Sequence, residues 1–286
     1  MTQGREFKRE LFELYFAQTW LQRHEPKIEQ LLELTHRDEE RELVLDLLKN
    51  FNYIGEERLQ LLLGAMADRI CNGIAVVEDQ TQVITTAIDN EPDSSQMLLQ
   101  MLKNRLTENG FPRFLKRSRG HEAIKYCVER PNIVIVEEFS GTGSTIIARV
   151  NDLKARIQDK ANSTGVEINP RIVVCLLAAM KNALAAIRAE GIEVYSEFEM
   201  PASISQRIDP AQVDQKKTLM EGIEARLDRA RMIPFPSLGY GQAESLFFLQ
   251  NGNPPNNNFP VFWWKHLANG GAFVPLLERD EPNYDY

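Results

Sequence analysis

The chain has 286 residues, a formal net charge of −8 and 43% hydrophobic residues. That length can bury a large core as one α/β unit with extensions, and the acidic balance excludes nucleic-acid binding over the whole surface while leaving room for a local basic patch. Cys71, Cys127 and Cys175 are odd in number, lack Cys-x-x-Cys spacing and sit in apolar segments, so reduced core thiols are expected rather than disulfides or zinc. Neither a charged-then-apolar leader nor an apolar run of about 18 residues is present, and the expectation is a soluble, cytoplasmic protein with no membrane segment.

Residues 5 to 50 read as about three amphipathic helices. Phe7, Leu11 and Leu14, then Ile28, Leu31 and Leu32, then Leu43, Val44, Leu47 and Leu48 recur at three and four between charged positions. Pro26 sits where a new helix begins, and Asp38-Glu39-Glu40 has capping character. Trp20 and these apolar faces are expected to pack on the rest of the chain or on a partner chain, with His24 and His36 at the surface. A further helix is expected from Ile54 to Ile70 and a strand from Gln82 to Ile88. An acidic loop, Asp89 to Ser95, follows and opens a helix from Ser95 to Leu106. Residues 111 to 121 then concentrate Arg113, Lys116, Arg117, Arg119 and His121. Guanidinium groups there suit phosphate oxygens, and a solvated loop or a patch for a protein or nucleic acid is the other reading.

Ile133 to Val136 is a short branched apolar run, suited to a buried parallel strand, and Glu137 and Glu138 stand at its carboxyl end. Ser140-Gly141-Thr142-Gly143-Ser144-Thr145 then brings glycines, hydroxyls and the open amides of a helix N-terminus together, which is an anion cradle. A carboxylate pair beside such a cradle suits a sugar phosphate, or a magnesium-bound pyrophosphate. An ordinary strand end with solvated carboxylates and a capped helix has the same residues. The run is neither a P-loop nor a Gly-x-Gly-x-x-Gly fingerprint. Further on, Arg171 to Ala179 and Ile192 to Phe198 read as strands, with a helix from Lys181 to Ala189 between them. This β-α-β-α-β spacing predicts parallel strands with ligands at their carboxyl ends. Residues 205 to 230 read as a charged helix, followed by a Pro, Gly and Asn-rich irregular segment with the aromatic run Phe262, Trp263 and Trp264.

Four apolar residues, two acids and a loop ending Thr142-Gly143-Ser144-Thr145 resemble the phosphoribosyl-diphosphate motif of type I phosphoribosyltransferases. Leu238-Gly239-Tyr240-Gly241, the run from Asn253 to Trp263 and the Pro275 to Arg279 segment further resemble a bacterial group of such proteins with a C-terminal extension, PRTase-CE, over roughly residues 54 to 279. The resemblance implies an α/β fold, a parallel sheet flanked by helices over residues 53–204, preceded by an N-terminal helical region over 1–52 and followed by a C-terminal extension over 205–286 that caps the ligand edge. By resemblance Glu137 and Glu138 are the catalytic-site acids holding the ribose hydroxyls and, through ribose-bound Mg2+, a metal, while Ser140, Gly141, Thr142, Gly143, Ser144 and Thr145 hold the 5′-phosphate. Arg117 and Arg119 would meet pyrophosphate, and Lys181, Tyr240 and Trp263, with Phe198, Asn256 and Asn257, would lie on the acceptor side. The second acid of the motif is more often Asp than Glu, and the acidic loop 89–95 departs from the family's pyrophosphate loop.

The implied ligand is phosphoribosyl diphosphate or a nucleotide. Two functions follow: transfer or cleavage at ribose C1 by an effector of a bacterial antiviral defence system, or a catalytically inactive nucleotide-sensing module. The N-terminal helices are the expected contact for a protein partner or a second copy.

Overall fold

The computed structural model describes residues 2–87, 94–271 and 273–280, with side chains from residue 7 onward. The expected acidic loop therefore lies outside the described residues up to residue 93. In chain order the helices and strands are α1 (Thr2–Ala17), α2 (Glu25–Glu33), α3 (Asp38–Lys49), β1 (Asn52–Ile54), α4 (Glu56–Asp68) and β2 (Thr81–Thr85). Then come α5 (Ser94–Glu108), β3 (Leu115–Arg117), α6 (Ala123–Tyr126), β4 (Asn132–Ser140), α7 (Ser144–Thr164) and β5 (Arg171–Met180). The chain ends with α8 (Lys181–Ala189), β6 (Glu193–Ser196), β7 (Glu199–Met200), α9 (Val213–Glu224) and β8 (Phe247–Leu249).

These elements form two compact units, residues 56–200 and residues 1–55 with 201–286. The N-terminal helical region and the C-terminal extension, expected as separate regions, thus fold together. The reason is their shared core: Leu14, Leu21, Ile28 and Leu47 from the N-terminal helices join Phe247, Phe259, Phe262 and Trp263 in one buried cluster. A single amphipathic helix cannot bury its own apolar stripe, and the aromatics of the extension supply the large area it needs. An ion pair on a buried carboxylate ties the same parts together, since the half-buried Arg226 donates to both oxygens of Glu40 on α3, at 2.8 and 3.0 Å. The expected helix over 205–230 is shorter than its charge pattern indicates, because Asp209 and Pro210 open a 3-10 turn and α9 begins only at Val213.

The Asn-rich motif is a structural interlock within this unit. The buried Asn258 amide donates to the Phe247 carbonyl at 2.7 Å and its oxygen accepts from the Phe247 N–H at 2.8 Å, as a neighbouring strand would. The Trp263 indole N–H donates to the Asn258 carbonyl at 3.0 Å. Asn257 donates to the Tyr240 carbonyl, and the Tyr240 N–H donates to the Asn256 carbonyl, both at 2.9 Å. Gly239 has φ +84, and a Cβ there would run into the Asn257 carbonyl, so only glycine lets the two segments meet. β8 also pairs in parallel with β1, with Asn52 opposite Phe247.

The second unit is the parallel sheet, in the order β3-β2-β4-β5-β6, with β7 pairing β5 beyond the end of β6. The α/β class and the helix-flanked parallel sheet expected from the sequence are present. Alternation sends Ile133 and Ile135 to the face covered by α7 and α8, where they meet Ile84, Ile146, Val150 and Ile187. α4 and α5 cover the opposite face. Burial on both faces explains why β4 and β5 read as continuous apolar runs. All three cysteines are free and buried. Among the described residues no helix is long and apolar enough to cross a membrane.

Candidate functional site

In an open parallel sheet a crevice forms where adjacent strands send their chains to opposite sides. Here that place lies between β2 and β4: the chain leaving β2 returns to β3, and the chain leaving β4 returns through α7 to β5 on the other side. Glu137 and Glu138 follow the last β4 pair with β2, Val136 opposite Thr85, but they do not end the strand as expected: β4 continues along β5 to Ser140.

Glu137 continues the Ile133 and Ile135 face, which Thr86 shares with Ile84 just past β2. The Thr86 hydroxyl donates to the Glu137 carboxylate, whose other oxygen accepts the Glu138 backbone N–H at 3.0 Å. Glu137 is thereby held in one orientation while still partly exposed. Glu138 alternates to the other face and is 4% exposed. Their carboxylates therefore lie on opposite faces of β4 rather than side by side.

After Ser140 the chain turns through Gly141 and Thr142 into α7. Gly143 has φ +85, and a Cβ on it would lie 3.0 Å from both the Ala183 carbonyl and Ile187 Cγ1 of α8. Its lack of a side chain thus serves the backbone angle and the approach to α8 together. It also leaves the helix start with no side-chain cap from the N-cap position. The Thr142 and Ser144 hydroxyls lie 2.9 Å apart, and Ser144 and Thr145 are exposed on the first turn. Exposed hydroxyls around the positive end of a 21-residue helix make a cradle for an anion.

The other expected residues divide. Lys181 opens α8 directly after β5, at the same carboxyl edge, and is exposed. Arg117 ends the short edge strand β3 and stacks over the Tyr126 ring, 4.8 Å from its centroid. Arg119 precedes a 3-10 turn over Gly120–Glu122. The basic stretch is therefore not one open loop. Arg113 is taken by Glu78 and Asp79, and the Lys116 ammonium donates to the Pro112 carbonyl at 2.9 Å. Burial lowers the Lys116 pKa, Glu78 opposing the shift. The segment is anchored to β2, with the Thr85 hydroxyl on the Ser118 carbonyl at 2.6 Å and the Gly120 N–H on the Ala87 carbonyl at 3.1 Å.

Trp263 does not serve a ligand: it is fully buried and its only polar atom is spent on Asn258. Asn257 is likewise buried in the interlock, whereas Tyr240 is 50% exposed. Phe198 precedes β7 and carries the Arg58 guanidinium 4.1 Å from its ring centroid. Sequence reasoning missed Arg58 and Thr86. A Thr at the end of the strand before the acidic pair is a signal only once the two strands are known to be neighbours.

No curated protein matches the chain. Among solved structures, an orotate phosphoribosyltransferase from Aeropyrum pernix is similar over 51% of this chain and 72% of its own, at 14% identity and a TM-score of 0.32. A hypothetical protein from Neisseria gonorrhoeae, solved with bound ppGpp, is similar over 60% of this chain and 97% of its own, at 14% identity and a TM-score of 0.34. Likeness at this distance says nothing about shared ligands. The family match is of another order, for it runs over residues 19–279, taking in the Glu137 to Thr145 segment, the aromatic C-terminal segment and two of the N-terminal helices that had no counterpart on motifs alone. On that span the chain is a phosphoribosyltransferase-type protein and belongs to the PRTase-CE family.

Proposed function

We propose that the chain binds a phosphorylated ribose, phosphoribosyl diphosphate or a nucleotide related to it, at the carboxyl edge of β2 and β4. The observation that carries this reading is the pairing, at one crevice, of acids near the carboxyl end of β4 with the hydroxyl-rich start of α7. Residues 140–145 take the 5′-phosphate, and Glu137 and Glu138 take the ribose hydroxyls. Thr86 fixes the Glu137 carboxylate for that contact by occupying one of its oxygens.

Magnesium in phosphate sites is held by one or two carboxylates together with substrate oxygens, rather than by an all-protein cage. The partly exposed Glu137 carboxylate fits that pattern as the single protein ligand, Glu138 lying on the other face of β4, and among the described residues no cluster of three or more metal-ligating side chains offers an alternative. Bound there with the ligand, the ion would neutralise charge on a departing diphosphate. Glu137 and Glu138 orient the ribose, and the start of α7 fixes its phosphate. Transfer or cleavage at ribose C1, in an effector of antiviral defence, is the activity this arrangement serves. Binding without turnover is the second reading, favoured by the longer Glu138 side chain at the second acidic position.

The test is calorimetric titration with phosphoribosyl diphosphate and Mg2+, followed by an assay for released pyrophosphate. Wild-type protein is expected to bind, and a Glu137→Gln, Glu138→Gln variant to bind at least about tenfold more weakly. Equal affinity in the two proteins would place the ligand elsewhere. Binding with no pyrophosphate release would leave the sensing module as the function.

A further inference from the structure

A cavity of about 310 Å3 opens on the α7 side of the sheet, next to the crevice. Its apolar part is Ile84 and Ile135, one step before Thr86 and Glu137 on the same face, with Leu153 of α7. Its charged part comes from one stripe of α7, Arg149, Asp152 and Arg156 at spacings of three and four, while Thr85, Thr86 and Gly120 line the side toward the crevice, Thr86 being the residue that holds Glu137. His121 completes one side.

The guanidinium groups of this stripe keep donors for a ligand, Arg149 half-buried and Arg156 exposed and paired with Asp152. Asp152 accepts only the Nε of Arg156, at 2.8 and 2.9 Å, and the two terminal nitrogens make no hydrogen bond among the described residues. Arg149 makes none there either, and its Nε is sealed from solvent. The shielded Arg149 Nε without an acceptor costs free energy that an anion's oxygen would return, and the planar fork of both guanidinium groups favours carboxylate or phosphate. No residue of the 140–145 cradle lines the cavity.

We propose that this cavity is a second ligand site, for a small organic anion whose carboxylate or phosphate group meets Arg149 and Arg156. A planar or apolar body rests on Ile84, Ile135 and Leu153. The volume lies at the lower end of small-molecule sites, which suits a ligand between nucleobase and mononucleotide in size.

Calorimetric titration with benzoate and with phenyl phosphate tests it. Both probes are expected to bind wild-type protein, and the Arg149→Gln, Arg156→Gln variant to bind at least about tenfold more weakly. Thr145→Val in the phosphate cradle should leave benzoate affinity unchanged. An undiminished affinity in the arginine variant, a loss in Thr145→Val, or no binding of either probe up to about 10 mM overturns the site. A readout on wild-type protein stands apart from the variant's folding. Benzoate should protect Arg149 from phenylglyoxal, read by peptide mass spectrometry, while the exposed Arg113, outside the cavity, reacts as before. Equal modification of Arg149 with and without benzoate also overturns it.

Discussion

Gly143 meets two demands that no other residue satisfies at once: a left-handed backbone at the helix start and an approach to α8 that leaves no room for a methyl group. Gly143→Ala adds a Cβ 3.0 Å from a backbone carbonyl, which cannot swing aside as a side chain would. A destabilisation of about 2 kcal/mol is expected from the φ angle and the contact together, with a melting temperature lower by several degrees. Because the residue fixes where α7 begins, phosphate affinity should fall with it; an alanine variant with wild-type melting temperature and affinity would show that the turn relaxes freely. Gly143, Glu137 and Glu138 were legible in the sequence because residue type and order alone define a strand and a cradle, but the strand's end was not: β4 continues two residues past the acids because Phe139 and Ser140 still pair with β5. Thr86 was not, since its role depends on which strand lies beside β4. Trp263 was legible as a large buried surface but not as a residue with no face left for a ligand, which its complete burial and its indole bond to Asn258 reveal.

At the scale of elements, the boundaries that held are those set by strong local chemistry. α8 runs from Lys181 to Ala189 as expected, between a buried strand and Gly191 at φ +69. β3 carries no periodicity in its three half-buried residues, two of them basic, and its identity as a strand comes wholly from backbone pairing with β2. The packing of α9 against its following segment was equally hidden. The Glu224 carboxyl at the end of α9 is buried and accepts the Ser237 hydroxyl at 2.6 Å and the Leu238 N–H at 3.1 Å. Burial pushes its pKa up to about 7 against those hydrogen bonds, which lower it. An acid with a raised folded pKa binds its proton more tightly folded than unfolded, so ionisation opposes folding. The penalty is absent below the ordinary value near 4.5, grows as pH rises and is complete above about 7. Glu224→Gln should therefore raise the melting temperature relative to wild type more at pH 8 than at pH 5. A difference independent of pH would show that Glu224 ionises as freely folded as unfolded.

For the whole molecule, the division into units assigns different work to different parts of the sequence. Residues 56–200 are continuous and contain the crevice, the cradle and the second cavity, whereas the other unit needs both chain ends. On α3, Leu43, Val44, Leu47 and Leu48 are almost completely buried, and their burial contributes on the order of 10 kcal/mol, comparable with the whole stability of an ordinary domain. Removing α3 also removes Glu40 and leaves Arg226 without its carboxylate. A chain beginning at residue 51 should therefore lose the fold of its C-terminal segment. Trp263 and Trp264, the tryptophans it retains, are both buried in that unit in the full chain. Their emission should shift to the red in the shortened chain, and limited proteolysis should digest residues beyond 201 faster than the sheet unit, whose apolar cluster under α7 and α8 draws, among the described residues, none from the deleted helices. Blue, protected emission would mean that the aromatic extension is stable without the N-terminal helices, and would undo the reading of the two chain ends as one unit.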